Sequence, residues 1–386
     1  MDYVPALPGQ NRPLEGATLD LPTSHRVPVS WLRAHASAPI KWRTVNDILP
    51  AGSASEADYE ALKAELIQTK HVLQVLKKQK PTGLWGDNIL GLAPNKTLGY
   101  KDVGTVSQYR HLLELGLPRD DRAFRLTERM FYRLLSREES PDLLAEYKSS
   151  AKGNAELAIW ARTLFREGAT VALAHAGLIE DPRVRGSAHR IASQVSQFLR
   201  SELSARPLIR RGSRTVLHPE AYPPTAMFVA TIAYMPTLQR ERAGFVERLC
   251  SFLAEPLPKK KYVIQLGRKV VPPIHQLLGN PIEVDRSGNA KDMPLALHWI
   301  ELLVRLGMLQ TNEAAVRALQ RLLADVDSQG VWAPRNLRAL PKSPSRVADF
   351  AFPLEAEAKT LERRQADVTF RLAFIAKLAG WTLEYT

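Results

Sequence analysis

The stretch Leu115-Gly116-Leu117 ends an apolar helical segment, and four later segments end in a similar glycine or proline turn. The later turns are Ala176-Gly177-Leu178, Met235-Pro236, Leu306-Gly307-Met308 and Ala379-Gly380-Trp381. The successive turn residues lie 61, 59, 71 and 73 residues apart. An amphipathic helical segment follows each of the first four turns, so the chain is predicted to consist of helical hairpins.

The two helices of each hairpin differ in polarity. The first helices are comparatively apolar and are predicted at 103–117, 157–178, 222–235, 292–308 and 366–380. The second helices carry charges along one side and are predicted at 121–136, 182–201, 240–254 and 312–325. This difference favours two concentric layers with the apolar helices inside. We therefore predict an all-α fold, an α/α toroid of about five to six helix pairs, with an open helical solenoid for protein binding as the alternative.

The ends and the cysteine content limit the class of protein. Residues 1–27 are rich in proline and glycine and are predicted as an irregular arm before a single toroid domain at 28–386. The single cysteine, Cys250, excludes intramolecular disulfides and cysteine-rich zinc sites. No apolar run approaches the ~20 residues that span a bilayer, and the N-terminus lacks a secretory signal pattern. The sequence predicts a cytoplasmic protein without a transmembrane segment.

Two turns combine a glycine with a tryptophan two residues later. The first is Gln79-Lys80-Pro81-Thr82-Gly83-Leu84-Trp85, and the second is Asp327-Ser328-Gln329-Gly330-Val331-Trp332. The first resembles the glutamine–tryptophan motif of the squalene-cyclase and terpene-cyclase superfamily, whose toroid protein prenyltransferases share. The second resembles a degenerate copy, because its glutamine directly precedes the glycine. The resemblance implies an α/α toroid in which such turns link an outer helix to the next inner helix, with tryptophan as a structural staple.

A threonine precedes three of the hairpin turns by eleven residues. These are Thr105, Thr225 and Thr369. Threonine is favoured where its hydroxyl can bond nearby backbone groups, so we expect these residues to cap or pack rather than to face a cavity.

The catalytic groups of the superfamily are not reproduced in this chain. Asp325-Val326-Asp327-Ser328 faintly resembles the acidic stretch of the class II cyclases but lies in a turn, so Asp325 and Asp327 are weak catalytic candidates. No zinc triad of the prenyltransferase type surrounds Cys250. The acids of the first helices suggest no glycosidase pair; they are Glu114, Glu167, Asp292, Glu301 and Asp367. The sequence predicts no metal site and no cofactor, and it has no phosphate-binding glycine loop.

Polar residues on the first helices are the candidates for lining a central cavity. Histidine beside aromatic residues can act as an acid, a base or a ligand, and His298 is therefore the third weak catalytic candidate. The predicted cavity-lining residues are Gln108, His111, Tyr222, His298, Trp299 and Arg371.

The net charge of +13 is unevenly distributed along the chain. Segments 200–221 and 255–292 each carry a net charge of +3 and are expected to emerge on one rim of the toroid. Clustered Arg and Lys can neutralise nucleic-acid phosphates, a diphosphate or anionic lipid headgroups. The predicted anion-binding residues are Arg206, Arg210, Arg211, Arg214, Lys259, Lys260, Lys261, Arg268 and Lys269.

These observations favour a binding protein whose basic rim takes an anionic or nucleic-acid partner. One alternative is an enzyme that acts on an isoprenoid-like or other apolar substrate in the central cavity. The open helical solenoid is the other alternative.

Overall fold

The structure is a computed structural model and describes residues 20–86, 88–91, 104–343, 345, 347–355 and 357–386. Most of the predicted N-terminal arm, residues 1–19, lies outside the described residues. The chain forms two compact units. Unit 1 takes the described residues of 1–77, 111–118 and 282–386, and unit 2 takes those of 78–110 and 119–281. The prediction of one domain over 28–386 did not include this division, because hairpin periodicity carries no information on which hairpins share a core.

Helices dominate the described residues, as the sequence predicted. They are α1 Val29–His35, α2 Ala38–Arg43, α3 Glu56–Gln68, α4 Lys70–Lys77, α5 Gly104–Glu114, α6 Arg122–Leu135, α7 Ala155–His175, α8 Pro182–Arg200, α9 Ala226–Ala233, α10 Pro236–Glu241, α11 Ala243–Ala254, α12 Met293–Arg305, α13 Glu313–Leu323 and α14 Leu361–Leu378. Shorter helical turns lie at Thr44–Ile48, Pro141–Tyr147, Glu202–Ser204 and Leu309–Thr311. The strands are β1 Ser24–Val27, β2 Leu208–Arg211, β3 Arg214–Leu217, β4 Ile264–Leu266, β5 Lys269–Val271 and β6 Thr382–Tyr385. Each strand has only three or four residues, too few for an alternating pattern to predict it.

The glycine turns that define the hairpins are helix C-terminal caps. After α12, Gly307 has a φ of +68° and donates its N–H to Val304, while the N–H of Met308 bonds to the carbonyl of Leu303. This pair of hydrogen bonds satisfies two carbonyls of the last helical turn and requires a left-handed residue that glycine adopts without strain. The same pair of bonds follows α5, α7 and α14. The recurring sequence pattern therefore has a direct structural cause.

The first and last described strands of unit 1 pair with each other. Strand β1 runs parallel to β6, with Ser24 opposite Thr382 and Val27 opposite Tyr385. Helix α14, which leads into β6, packs against α1, α2 and α12. Residues 24–27, assigned by the sequence analysis to the irregular arm, are thus ordered by pairing with a segment more than 350 residues away.

A chain of alternating charges runs through unit 1, with its four central members buried and its two end members half-buried. In order it contains Asp47, Arg43, Glu114, Arg371, Glu301 and Arg305. Glu114 Oε2 accepts from Arg43 Nη1 at 2.7 Å and forms an ion pair with Arg371 Nη2 at 2.9 Å. Arg371 Nη1 lies 3.4 Å from Glu301 Oε2, and the Arg371 side chain is only 4% exposed. Each buried charge in this chain therefore has an opposite charge beside it, which offsets the cost of removing it from water.

Two aromatic rings also contact Arg43 of this charge chain. The Arg43 guanidinium carbon lies 5.0 Å from the ring centre of Phe370 and 5.1 Å from that of Phe374. Burial opposes the charge of Arg43, but the carboxylates of Asp47 and Glu114 outweigh this effect and hold its pKa above the ordinary value. Arg43 is therefore a permanent cation of the core, which aromatic faces accept better than aliphatic groups would.

The two glycine–tryptophan turns have the same local geometry. In unit 2, the Trp85 N–H donates to Thr105 Oγ1 at 3.0 Å. In unit 1, the Trp332 N–H donates to Thr369 Oγ1, also at 3.0 Å. Two of the three regularly spaced threonines therefore fix a tryptophan turn, and the third, Thr225, caps α9 by accepting from Phe228 N–H.

The glycine of each turn allows a close backbone approach. Gly83 has a φ of +85°, and a Cβ atom there would lie 2.6 Å from the carbonyl carbon of Leu126. Gly330 has a φ of +94° and would meet the Arg26 backbone in the same way. Both positions thus need glycine for two reasons, the left-handed conformation and the absence of a side chain.

Among the residues that the structure describes, no helix is both long enough and apolar enough to cross a bilayer.

Replacing Gly83 by alanine should destabilise the protein by ~3 kcal/mol or more, since it adds a backbone clash to the cost of a left-handed alanine. Gly52→Ala is the matched control, because Gly52 has a φ of +81° but no atom within 4 Å of the added Cβ. The control should cost only ~1–2 kcal/mol. Urea unfolding of both variants measures the difference, and equal losses would contradict the close approach at Gly83.

Replacing Arg371 by methionine should lower the free energy of unfolding by ~3–5 kcal/mol, because it leaves buried carboxylates with fewer partners. Lys148→Met is the control, since the Lys148–Asp142 pair is exposed and its loss should cost less than ~1 kcal/mol. Thermal and urea unfolding of the two variants provide the measurement. If the Arg371 variant loses as little free energy of unfolding as the control, the charge chain does not stabilise the fold.

Candidate anion-binding surface

Five of the nine predicted anion-binding residues lie on two β-hairpins of unit 2, and the other four, Arg206 and Lys259 to Lys261, lie in the segments that lead into these hairpins. Strands β2 and β3 pair antiparallel, with Arg211 opposite Arg214 at the turn. Strands β4 and β5 pair antiparallel, with Leu266 opposite Lys269. Two predicted segments that lie about 50 residues apart in sequence therefore adopt the same local structure.

The two hairpins are joined by backbone pairing. Val216 and Val263 form a parallel bridge, in which Leu217 N–H donates to the Val263 carbonyl at 2.9 Å and Val263 N–H donates to Thr215 at 3.1 Å. Arg211 Nη1 reaches Gln265 Oε1 of the other hairpin at 3.4 Å. The hairpins thus form one continuous surface, which we call the basic platform, residues 206–217 and 255–271.

The nine predicted cations of the basic platform are all exposed. Its only acidic residue is Glu255. Within the described part of the chain, none of the nine side chains has a carboxylate within ion-pairing distance. The contacts that they do make are to neutral oxygens, as in the bond from Lys269 Nζ to the Ser150 carbonyl at 2.7 Å. Cations without carboxylate partners repel one another, and a bound polyanion would relieve this repulsion.

The inner side of the basic platform packs on the unit. Val216, Leu217, Ile264 and Leu266 are buried, whereas the exposed cations of the two hairpins lie at or next to the turns. The first hairpin is therefore buried at its base and exposed at its turn, where Arg211 and Arg214 lie opposite each other.

The start of α7 anchors the second hairpin. Asn154 Nδ2 donates to the Leu266 carbonyl at 3.2 Å, and Glu156 Oε2 accepts from the Gly267 N–H at 2.7 Å. Gly267 has a φ of +58° at the turn between β4 and β5. The turn that carries Arg268 is therefore attached to a 21-residue helix.

A buried carboxylate anchors the segment that follows the first hairpin. Glu167 of α7 accepts from the Tyr222 hydroxyl at 2.9 Å and from the Thr225 hydroxyl at 2.6 Å. Burial raises the pKa of Glu167 to about 7, and the hydrogen bonds from Thr225 and Tyr222 only partly oppose this rise. Burial, together with the negative charge of Glu167, also raises the pKa of Tyr222, so its hydroxyl remains a donor.

The segments that follow the two hairpins pair with each other beside Thr225. Ala226 N–H donates to the His275 carbonyl, and Leu277 N–H donates to the Pro224 carbonyl, each at 2.8 Å. The chain after β5 thus pairs with the residues next to Thr225. The segments that follow both hairpins are therefore joined next to Thr225, which Glu167 binds.

The predicted cavity-lining residues fall in both units. In unit 1, His111 Nδ1 lies 2.7 Å from the Phe350 carbonyl, and the His298 ring packs edge-on against the Phe350 ring. Trp299 is fully buried, and Arg371 belongs to the buried charge chain and also donates to the Ala351 carbonyl. In unit 2, Tyr222 bonds to Glu167, and Gln108 is half-buried.

The weak catalytic candidates are engaged in local contacts. Asp327 Oδ1 accepts from the N–H groups of Gln329 and Val331 within the turn, each at 2.9 Å. Asp325 Oδ1 pairs with Arg321 Nη1 at 2.9 Å, one turn earlier on the chain. The third candidate, His298, is buried. Hydrogen bonds within a turn are the ordinary role of aspartate at such positions.

Metal ligands and a reactive thiol are not found among the described residues. No group of three His, Cys, Asp or Glu side chains lies close enough together there to hold a metal ion. Cys250 is buried, and burial raises its pKa to about 12, so the thiol stays protonated near neutral pH.

The pairing of Glu167 with Tyr222 and Thr225 was not predicted from the sequence. The available signal was a carboxylate within the largely apolar segment 164–174, whose only other charged residue is Arg166. An ionisable side chain in such a segment needs partners when it is buried. Its partners are 55 and 58 residues away, so no local pattern could identify them.

In comparisons with family models, with curated proteins and with solved structures, nothing was found to match this chain.

Glu167 should make the stability of the protein fall as the pH rises from about 4.5 to about 7. Its carboxyl group has an ordinary pKa of 4.5, so in this range the unfolded chain releases a proton that the folded chain keeps. The free energy of unfolding should drop by ~3 kcal/mol across this range and then level off. Glu167→Gln should remove this part of the pH dependence.

Urea unfolding of the two proteins near pH 5 and near pH 8 measures the effect. The wild-type protein should lose stability relative to the variant between these two conditions. A difference between the proteins that does not change with pH would contradict a raised pKa at Glu167.

Proposed function

We propose that this protein binds a phosphate-bearing polyanion on the basic platform of unit 2. The observation that carries the proposal is the joining of two cationic hairpins into one surface through the pairing of Val216 with Val263. Nine exposed cations then share that surface with one acid, Glu255. This is the electrostatic pattern of a polyanion-binding surface.

The distribution of ion pairs supports this proposal. In other exposed parts of unit 2, arginines are often paired, as in Arg185 with Glu180 and Arg133 with Glu138. On the basic platform the cations contact only neutral oxygens of the described chain, such as the bond from Arg210 to the Gly212 carbonyl. A bound polyanion would release counterions from these side chains and gain affinity from that release.

We further propose that the helical hairpins close into an α/α toroid like that of the cyclase superfamily. Two features support this reading. The pairing of β1 with β6 brings the first and last described strands of unit 1 together. The turns at Trp85 and Trp332 repeat one geometry, as expected of the structural staple in that superfamily. In this proposal the toroid is a scaffold for binding, because its known catalytic groups have no counterpart in the sequence.

Polyanion binding by the basic platform is tested by replacing Arg210, Arg211 and Arg214 with glutamine. The affinity of this variant for long-chain inorganic polyphosphate is then measured at several salt concentrations. We expect affinity at low salt to fall about tenfold or more and the dependence on salt to become shallower, since fewer counterions are released. Fluorescence titration provides both quantities.

The matched control replaces Arg122, Arg125 and Arg129 of α6 with glutamine. These three arginines are also exposed, belong to the same unit and change the net charge by the same amount. The control should bind polyphosphate within about twofold of the wild type, a change small beside the tenfold expected above. Equal losses in both variants would mean that net charge alone drives binding, and no binding by the wild type would end the proposal.

A further inference from the structure

We propose that the polyanion taken by the basic platform is the surface of an anionic lipid bilayer, with Leu257 and Val270 inserted among the headgroups. This inference rests on the proposed function and adds the class of partner to it. It is carried by the position of exposed apolar side chains among the cations.

The exposed apolar residues of unit 2 concentrate at the basic platform. Among its described residues, three large apolar side chains are exposed, Ile159, Leu257 and Val270, with exposed fractions of 64%, 40% and 39%. Leu257 and Val270 belong to the platform itself. Ile159 lies one helical turn after Glu156, which accepts the hydrogen bond from Gly267 in the β4–β5 turn. Single exposed apolar residues are common on any surface, but here all three lie on or beside one cationic surface.

Val270 lies on the outer face of the second hairpin. It is opposite Gln265 in the β4–β5 register, so the two side chains project to the same side. Gln265 accepts from Arg211 of the first hairpin. An exposed valine and an exposed guanidinium thus share one face across the junction of the hairpins.

Leu257 lies beside the densest run of lysines. It is part of Glu255-Pro256-Leu257-Pro258, directly before Lys259, Lys260 and Lys261, and every residue from 255 to 261 is exposed. The two prolines have fixed φ angles and restrict this segment. The start of the segment is also tied down, because the Asn280 N–H donates to the Glu255 carbonyl at 2.7 Å. An ordered segment therefore presents a leucine and three ammonium groups together.

A bilayer surface matches both kinds of side chain. Anionic headgroups attract Lys and Arg, and the acyl boundary just beneath them accepts aliphatic groups. A nucleic-acid backbone offers phosphates but no apolar layer. Proteins that bind single strands without sequence preference stack bases on exposed aromatic rings. The one aromatic residue of the basic platform, Tyr262, is half-buried, and burial raises its pKa to about 12.

The test uses the full chain with vesicles of phosphatidylcholine containing about one third phosphatidylserine, and with vesicles of phosphatidylcholine alone. Co-sedimentation should show binding to the anionic vesicles at least about tenfold tighter than to the neutral ones. The variant L257S/V270S should bind anionic vesicles about tenfold more weakly than the wild type, because two inserted side chains are lost. Its affinity for polyphosphate should stay within about twofold, because every cation remains.

The matched control is I67S/L73S, which removes two exposed apolar side chains of unit 1. It should bind vesicles and polyphosphate like the wild type. The inference is overturned if L257S/V270S binds vesicles as well as the wild type does, or if the control loses as much affinity. It is also overturned if a single-stranded DNA oligonucleotide binds more tightly than the anionic vesicles. If the wild-type protein binds polyphosphate but not anionic vesicles, this inference alone is overturned. If it binds neither, the proposed function is overturned as well.

Discussion

The buried carboxylate of Glu167 is the constraint on which the order of the basic platform depends. A carboxyl group in this apolar environment costs several kcal/mol unless its oxygens are hydrogen-bonded. The hydroxyls of Tyr222 and Thr225 supply those bonds. Both residues lie where the chain returns from the first hairpin, and the return of the second hairpin pairs with residues beside Thr225. Satisfying one buried group therefore fixes the base of both hairpins.

Two groups of arginines, one in each unit, have opposite environments. In unit 1, Arg43 and Arg371 are buried and each contacts carboxylates, so their charge is balanced within the fold. In unit 2, the cations of the basic platform are exposed and lack carboxylate partners among the described residues. Paired charges in a core fix geometry, whereas unpaired charges at a surface create a field that reaches a partner. The net charge of +13 does not distinguish the paired, buried cations of unit 1 from the unpaired, exposed cations of the basic platform.

The sequence predicted the local features of this protein and missed the distant ones. Gly307 marked a helix end because the left-handed cap is a property of three or four adjacent residues. The cation clusters were visible for the same reason. The pairing of β1 with β6 was not, because strands of four residues leave no alternating pattern and their partners are far apart in sequence. Glu167 and Tyr222 were both noted, but nothing local indicated that they touch.

The hairpin form of the basic platform has a consequence that a helix would not share. On a helix, neighbouring cations point in directions about 100° apart, so few of them face one surface at once. In the two joined hairpins the buried residues Val216 and Ile264 lie at the base, and the exposed cations of the hairpins lie at or next to the two turns. Two joined turns can bring several cations, together with Leu257 and Val270, against a broad surface at the same time. That geometry suits an extended planar partner better than a narrow strand, which could contact only part of it.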